Sequence, residues 1–361
     1  MVTIIGGGIA GSALAGALAR RGEEDVRLYE QQADVTAGGA FLVVDGRGHA
    51  ALTALGVDED RLHDASYPLT GLRSVSSAGD RIEATPDQLR ERGHRFWQRR
   101  RLMAILAEHV ADSGVDTHYG APVTDITVGG TDGCLLHHGT TTTAVTDDLI
   151  IAADGIDSVV RARLEPARTP VYAGEVMLYG MTTAPVELPT DPSTLHFYRE
   201  VDSQLCTFGH IWRPDEPAAW FMRFTRPAAD PTDLGVRPIG EWAETVLAGT
   251  PHNQNLARIL VENTGQVYLA NARNVPLTGA AEPELPVLLV GDADHAITPA
   301  AGVGARDALE DVRAVYQAHI SGESPAAAMA RRRAQLIDSR HTAVAQGVTS
   351  GTGGRDGGRT E

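Results

Sequence analysis

The sequence predicts an α/β fold in which a domain built on a parallel sheet is interrupted by an inserted antiparallel sheet and closed by C-terminal helices. A strand, a glycine-rich turn, a helix and a second strand open the chain. A second glycine-rich turn joins an apolar strand to a helix near the other end. Between them, the block 170–285 is rich in proline and in strand-like runs. We therefore expect residues 1–169 to begin the first domain, 286–346 to return to it, and 347–361 to form a disordered tail.

The opening unit has the Rossmann-like order that binds dinucleotides. The apolar strand Val2–Ile5 runs into Gly6-x-Gly8-x-x-Gly11, a helix of small residues follows, and the next strand ends at Glu30. The first glycine permits a tight turn, the second admits a pyrophosphate, and the third allows close helix packing. An acid at the end of the second strand binds ribose hydroxyls, as in NAD or FAD, and the motif alone does not separate the two. The residues expected to contact the cofactor here are Gly6, Gly8, Ile9, Ala10, Gly11 and Glu30.

The second glycine-rich turn predicts another part of the same kind of site. The apolar run Pro286–Val290 leads into Gly291-Asp-Ala-Asp-His295, then into Pro299-x-x-Gly302-x-Gly304 and a helix from Ala305. A carboxylate that follows such a strand lies at the sheet edge where ligands of open α/β sheets bind. Bare backbone N–H groups at a helix N-terminus attract anions. Two such turns at opposite ends of the chain suggest one long ligand held at both ends.

The elements between these turns follow from periodicity and turn residues. The expected elements are a strand at 40–44 with a helix ending near Gly56, a helix over 99–113, a small meander over 117–146, a buried strand over 148–154, inserted strands at 195–198, 205–212 and 219–224, and a closing helix over 326–345.

Composition excludes several functions. The net charge of −16 argues against nucleic acid or an anionic membrane as a partner. All 31 basic residues are arginine, so chemistry that depends on a catalytic lysine is excluded. Cys134 and Cys206 form no Cys-x-x-Cys pair, no metal site is indicated, and no signal peptide or membrane span is visible. We expect a cytoplasmic protein.

Four motifs, taken together and in this order, resemble those of single-component FAD-dependent aromatic hydroxylases, the para-hydroxybenzoate hydroxylase family. They are the N-terminal fingerprint with Glu30, Arg99-x-x-Leu102, Asp154-Gly155-x-x-Ser158-x-x-Arg161, and Gly291-Asp292 through Pro299-x-x-Gly302-x-Gly304. The resemblance covers residues 1 to about 345, although the block 170–285 matches only in size and strand character.

The resemblance implies an FAD-dependent monooxygenase, a monomer or homodimer, that uses NADPH or NADH as reductant. It implies transfer of one oxygen atom from O2, through a flavin hydroperoxide, to an aromatic, polyketide-like or other electron-rich small molecule, with secondary metabolism as the expected setting. Two other functions stay open. One is a non-redox FAD-binding protein with a cyclase-like or binding role, and the other is a plain NAD-dependent dehydrogenase, which leaves the later motifs unexplained.

Carried over residue by residue, the resemblance assigns the contacts with FAD. The fingerprint glycines hold the pyrophosphate and Glu30 the adenosine ribose. The remaining assignments are Arg99 to the phosphates, the Val123 backbone to adenine, Asp154 between the FAD and NAD(P)H sides, Asp292 to the ribityl chain, and the backbone of Gly302, Val303 and Gly304 to the pyrimidine edge of the flavin.

Two positions depart from the family pattern. Arg306 stands where the family usually has asparagine; it either pairs with the charge of the reduced flavin or turns away to pair with Asp307 or Glu310. Asp294 stands where alanine is common, and the sequence offers no reason for it.

The inserted sheet is expected to form a roof over the flavin. His210 and Arg223 each interrupt an apolar run and are the preferred catalytic candidates, with Arg47 in a nearby loop as a third. Ordinary strand packing is the alternative for each, and His295 is expected to be structural. The candidate inward-facing residues are Tyr179, His196, Tyr198, His210, Trp212 and Arg223.

Overall fold

The computed structural model describes residues 1–34, 41–129, 133–146, 148–201, 206–298 and 302–345, without the side chains of 342–345. The strands in these residues are β1 Val2–Ile5, β2 Val26–Glu30, β3 Phe41–Val44, β4 Ser66–Pro68, β5 Gly71–Ser76, β6 Arg81–Ala84, β7 Arg95–Gln98, β8 Asp116–Tyr119, β9 Val123–Val128, β10 Cys134–His138, β11 Thr141–Val145, β12 Leu149–Ala152, β13 Val171–Pro185, β14 Thr194–Glu200, β15 Cys206–Arg213, β16 Glu216–Thr225, β17 Gly235–Pro238, β18 Thr264–Asn274 and β19 Val287–Leu289.

The helices are α1 Ile9–Arg21, α2 Gly46–Ala54, α3 Glu59–Asp64, α4 Pro86–Arg92, α5 Arg99–Ala111, α6 Val159–Leu164, α7 Ala243–Ala248, α8 Gln254–Glu262, α9 Asp292–His295, α10 Gly304–Ile320 and α11 Pro325–Ala345. Short 3-10 turns occupy Pro231–Asp233, Ile239–Glu241 and Pro251–Asn253. Within the described part of the chain, none of the helices is long and apolar enough to cross a membrane.

A five-stranded parallel sheet organises the first domain, in the order β19-β12-β1-β2-β8. The strands β1 and β12 are buried along their whole length because both faces of the sheet are covered. Helices α1, α5 and α10 contribute to the core on one face, and the small sheet of β9, β10 and β11 packs on the other. Because neighbouring parallel strands end at one edge, the turns that follow β1, β12 and β19 meet there.

The predicted meander over 117–146 needs a correction. Its first strand, β8, pairs in parallel with β2 and forms the edge of the main sheet, so only β9, β10 and β11 make the antiparallel meander. The reason is that β2 presents an unpaired edge, and the sequence does not reveal which later strand fills it.

An eight-stranded sheet forms the second part of the fold, in the order β17-β18-β13-β16-β15-β14-β5-β6. Every neighbouring pair is antiparallel except β14 and β5. The strands β5 and β6 come from 71–84, so the sheet also includes residues that precede the predicted insert; the long strands β13 and β18 were not predicted. The helices α7 and α8 cover its outer face. The domain bounds themselves stay a prediction.

Several sequence-based expectations lie outside the described residues. They concern Ala40, Leu205, Pro299 and the tail 347–361.

Candidate active site

The first glycine turn has the shape that its sequence predicts. Gly6 has φ +102°, and a Cβ there would lie 2.3 Å from the Ala153 carbonyl oxygen. A Cβ on Gly11 would lie 1.9 Å from the Gly6 carbonyl oxygen. A Cβ on Gly8 would meet no atom within 4 Å. Packing therefore requires glycine at the first and third positions, whereas Gly8 leaves open space over the start of α1.

That open space continues into a cavity of about 270 Å³. Glu30 closes one end, where its carboxylate accepts hydrogen bonds from the Gly7 N–H at 2.6 Å and the Gln32 N–H at 2.7 Å. These two bonds fix the carboxylate at the end of β2. The predicted cofactor residues that line this cavity are Gly6, Gly8, Glu30, Arg99, Val123 and Asp154.

Asp154 combines a structural bond with an unused acceptor. Its Oδ2 accepts the Val159 N–H at 2.9 Å at the start of α6, whereas its Oδ1 is buried without a hydrogen-bond partner. Burial raises the pKa of the Asp154 carboxyl. A buried polar atom without a partner is uncommon in a folded protein, and a donor from a bound nucleotide would satisfy it.

A second cavity of about 520 Å³ adjoins the first. Both are lined by Gly8, Arg99, Ala153 and Gly155, so the two form one groove. Ile9 and Ala10 also line the second cavity, together with Asp292 and the start of α10 at Gly302, Val303 and Gly304.

At the end of the groove away from Glu30, a helix N-terminus and a carboxylate lie next to each other. Helix α10 begins at Gly304 without a side-chain cap, so its first N–H groups remain available to a ligand. Asp292 faces the cavity, where its side chain is accessible to solvent. The surrounding protein nevertheless desolvates its carboxyl group, and this desolvation raises the pKa of the carboxyl. The helix end favours an anion and the carboxylate favours hydroxyl donors.

The groove as a whole fits FAD. An acid lies at one end, an open glycine turn in the middle and a helix N-terminus at the other, in the order of adenosine, pyrophosphate and flavin. A dinucleotide bound here would supply a donor to the unpartnered Asp154 Oδ1, and the open space above Gly8 would admit its pyrophosphate.

The inner face of the eight-stranded sheet forms the roof of the second cavity. Cross-strand pairing places Tyr268, Tyr179, Phe221, Gly209 and Phe197 in one row over five adjacent strands. The four aromatic side chains of this row line the cavity. A Cβ on Gly209 would lie 2.3 Å from the Phe221 ring, so the missing side chain at 209 allows that ring to lie against the sheet.

Arg223 lies in the next row of the roof, paired in register with Met177 and Thr207. It is 8% exposed, and its Nε and Nη1 are buried without hydrogen-bond partners. The carboxylate of Glu175 lies 3.7 Å from Nη1, beyond hydrogen-bond distance. A buried guanidinium with unused donors therefore lines an otherwise aromatic and apolar cavity wall.

The structure contradicts the expected inward orientation of His196, Tyr198, His210 and Trp212. Alternation along β15 places His210 on the same face as Phe208 and Trp212, in the core that α7 and α8 cover. His210 is fully buried, its Nε2 lies 2.9 Å from the Thr190 hydroxyl, and its ring stacks on His196 at 4.9 Å. Burial and the neighbouring His196 lower the pKa of His210 to about 3, which keeps the ring neutral. Among the six candidates, Tyr179 and Arg223 line the cavity.

Two predicted arginines are bound to carboxylates instead of lining the cavity. Arg47 forms two hydrogen bonds with Glu310, at 2.8 and 2.6 Å. Arg306 bonds Asp307 at 2.8 Å and Asp45 at 3.2 Å. Carboxylates therefore neutralise both guanidinium groups. The roles of Arg47 as a catalytic residue and of Arg306 as a cofactor ligand stay predictions, and this pairing does not support them.

Comparisons with known proteins identify the family of this chain. A family model described as "FAD binding domain" matches residues 1–331. The chain belongs to this family. It is 26% identical over 356 residues to kynurenine 3-monooxygenase from Salinispora arenicola, covering 91% of this chain and 74% of that protein. It is 29% identical over 326 residues to 2-heptyl-3-hydroxy-4(1H)-quinolone synthase from Pseudomonas aeruginosa, covering 86% of this chain and 78% of that protein.

The solved structure of HpxO from Klebsiella pneumoniae, complexed with FAD and uric acid, superposes with a TM-score of 0.74 at 22% identity. The match covers 94% of this chain and 84% of that one, and it supports the fold. The fold class is the predicted one. The family match and the relatives named as monooxygenases make the protein an FAD-dependent monooxygenase. The comparisons support this function, and not the non-redox alternative.

Most of the aromatic residues that line the second cavity were not predicted from the sequence. Phe41, Phe197, Phe221 and Tyr268 line the cavity, and none was proposed. A signal existed in β15, where the rings of Phe208 and His210 alternate with the smaller residues Thr207 and Gly209. Small residues on one face of a strand indicate the side that a ligand or a neighbouring ring approaches.

Proposed function

We propose that this protein inserts one oxygen atom from O2 into a planar aromatic or similarly electron-rich small molecule that carries an anionic group, and that Arg223 binds this group. The observation that supports this proposal most strongly is that Nε and Nη1 of Arg223 are buried in the aromatic roof without hydrogen-bond partners. Flat rings pack well on such a surface, and a carboxylate or phenolate satisfies the guanidinium. Uric acid, which is bound in the Klebsiella structure, is a planar acid of this type.

FAD, when bound, supplies the redox chemistry by accepting a hydride from NADPH or NADH and activating O2. The residues of this chain supply binding and electrostatics. The N–H groups at the start of α10 favour negative charge at the flavin end. The carboxylate of Asp292 would accept hydrogen bonds from hydroxyl groups of the bound cofactor, and the aromatic row would exclude water from the reacting centre.

Arg223 also activates the substrate. Among the described residues that line the second cavity there is no histidine, and Asp292 is the sole carboxylic acid. A phenol bound beside Arg223 has a lowered pKa because the cation favours the phenolate. The phenolate ring is richer in electrons and therefore accepts an electrophilic oxygen more readily. Burial raises the pKa of Tyr179, which keeps its hydroxyl protonated and able to donate a hydrogen bond.

The experiment compares Arg223→Met with Arg199→Met. Arg199 lies in the same cross-strand row, but its side chain is 48% exposed and lies 3.7 Å from Asp80, which makes it a matched control. We measure the Kd of planar aromatic acids and of their neutral amides from the change in the flavin absorbance spectrum. Loss of charge-assisted hydrogen bonds predicts a Kd about 10- to 150-fold higher for the acids with Arg223→Met.

The neutral amides and the FAD affinity should be unaffected by Arg223→Met, and Arg199→Met should bind the acids as the wild type does. Wild-type protein that binds the amides as tightly as the acids would contradict the proposal. So would an Arg223→Met variant that retains the wild-type affinity for the acids.

A further inference from the structure

The short helix α9 carries Asp292 at the cavity and is enclosed by arginines. It has four residues, too few to be stable alone, and it follows Gly291 at φ +57° and ψ −139°. Its carbonyl groups accept hydrogen bonds from outside the helix. Arg161 donates to the Ala293 carbonyl at 2.7 Å, Arg168 donates to the Asp294 carbonyl, and Arg340 donates to the His295 carbonyl at 3.4 Å.

Asp294, the residue that the family pattern leaves unexplained, is the centre of this arrangement. Its side chain is completely buried. Its Oδ1 accepts from Arg333 Nη2 at 2.7 Å and its Oδ2 from Arg333 Nε at 2.8 Å. Arg168 Nη2 lies 3.3 Å from the same Oδ1. The carboxylate is thus held by two guanidinium groups, one after α6 and one on α11.

The two arginines connect α9 to a third segment. Arg168 donates to the Pro276 carbonyl at 3.2 Å, and Arg333 donates to the Ala281 carbonyl. Both carbonyls belong to the connection between β18 and β19. Through these two arginines, Asp294 links the turn that carries Asp292 to three segments: the residues after α6, helix α11, and the connection between β18 and β19.

Charge within the cluster is balanced. Glu165 pairs with Arg168, so two carboxylates oppose the two guanidinium groups. An alanine at 294 would leave one buried positive charge uncompensated, which is costly in a site shielded from water. The acidic residue at 294 therefore fits the arginines at 168 and 333.

A second buried carboxylate holds the start of the same turn. Asp311 on α10 accepts from the Gly291 N–H at 3.1 Å and lies 2.6 Å from His295 Nε2. It also accepts from Arg332 Nε at 3.1 Å. Asp292 thus lies between two anchored points, Gly291 and Asp294, on a turn that is too short to be stable alone.

We propose that Asp294, through Arg168 and Arg333, is a positioning residue that holds the Asp292 carboxylate in place for FAD. This inference rests on FAD occupying the groove. It gives Asp294 a role in cofactor affinity that a residue buried only for packing would lack.

The first test is Asp294→Asn, which retains the side-chain shape and removes the charge. The Kd of FAD is measured by titrating apoprotein and following the quenching of FAD fluorescence. Mutation of residues that orient metal ligands typically weakens metal binding by about one to two orders of magnitude, and for the analogous support of Asp292 we expect an increase in the FAD Kd of about tenfold or more. The visible circular dichroism of bound flavin should also change, because Asp292 shifts relative to the cofactor.

A second variant covers the case in which Asp294→Asn does not fold. Asp294→Ala/Arg333→Met removes one charge of each sign and leaves the Arg168–Glu165 pair intact. It should unfold near the wild-type temperature and still bind FAD about tenfold more weakly. Glu200→Gln is the control, since Glu200 is 7% exposed, lies 2.8 Å from His252 and belongs to β14 of the eight-stranded sheet, outside the Asp294 cluster. Its FAD affinity should equal that of the wild type.

Wild-type FAD affinity and an unchanged flavin dichroism in the double variant would overturn the positioning role while leaving the proposed function intact. Wild-type protein that takes up no FAD would overturn both.

Discussion

The substitution Gly8→Ala separates folding from cofactor binding. Gly8 has φ −72°, which alanine adopts without strain, and a Cβ there meets no protein atom within 4 Å. Alanine is a poorer N-cap than glycine by up to about 1 kcal/mol, and the lower backbone entropy of its unfolded state offsets about 0.4–1 kcal/mol of that. The free energy of unfolding of the apoprotein should therefore remain within about 1 kcal/mol of the wild type.

The same methyl group should weaken FAD binding strongly, because it occupies space reserved for the pyrophosphate. Forcing a methyl group into a close-packed contact costs about 1–3 kcal/mol, which corresponds to about 5- to 150-fold in the FAD Kd. Urea denaturation of the apoprotein and fluorescence titration with FAD measure the two quantities separately. Gly22→Ala is the converse control: at φ +100° alanine is strained by about 1–2 kcal/mol, but position 22 lies away from the groove. Unaltered FAD affinity in Gly8→Ala would refute the placement of the cofactor.

Three further outcomes follow from the site. Arg306→Asn should leave the flavin reduction potential unchanged, because Asp45 and Asp307 already neutralise the guanidinium; a shift above about 30 mV in spectroelectrochemistry, equivalent to about 1.4 kcal/mol, would contradict this. Gly209→Ala should displace the Phe221 ring into the cavity and raise the KM of bulky substrates about tenfold or more, while FAD titration shows no change. The pKa of His210 is about 3 in the folded protein against 6.5 for a free histidine, so the unfolded state binds the additional proton between those values. The contribution of His210 to the free energy of unfolding is therefore complete above pH 6.5 and decreases by about 1.4 kcal/mol per pH unit below it. Urea denaturation at pH 7 and at pH 5 should show a smaller decrease in the free energy of unfolding for His210→Phe than for the wild type.

The cofactor groove was predictable because local sequence determines it. Gly6 and Gly11 are required by contacts within one βαβ unit and its neighbouring strand, and Glu30 ends the second strand of that unit. The placement of Asp154 and Asp292 followed from their positions directly after buried parallel strands. Parallel strands end at one edge of a sheet, so these residues meet there whatever the rest of the chain does.

The roof was not predictable, because it depends on pairing between distant strands. Whether His210 faces the cavity or the outer core is decided by its neighbours in β14 and β16 and by helices from a later part of the chain. A shift of one residue would reverse the two faces. The strands β5 and β6 join this sheet from a distant part of the chain for the same reason.

Arg47, Arg306 and Asp294 illustrate a second limit. Their partners Glu310, Asp45 and Arg333 lie in other elements, and a lone sequence gives no record of which charges are paired. In the sequence alone, a charged residue near a predicted ligand-binding turn therefore cannot be distinguished from a ligand-binding residue. The fold is needed to show which residue of opposite charge pairs with it.

The origin of the oxygen atom in the product is the decisive measurement for the proposed monooxygenase reaction. The holoenzyme is supplied with NADPH or NADH, a panel of planar aromatic acids and 18O2, and the products are analysed by mass spectrometry. An acid that is turned over should gain one 18O atom, and Arg223→Met should form far less of this product while retaining FAD. Product oxygen that comes from water, or FAD-loaded protein that oxidises NAD(P)H without labelling any acid that binds beneath the sheet, would contradict the proposed reaction.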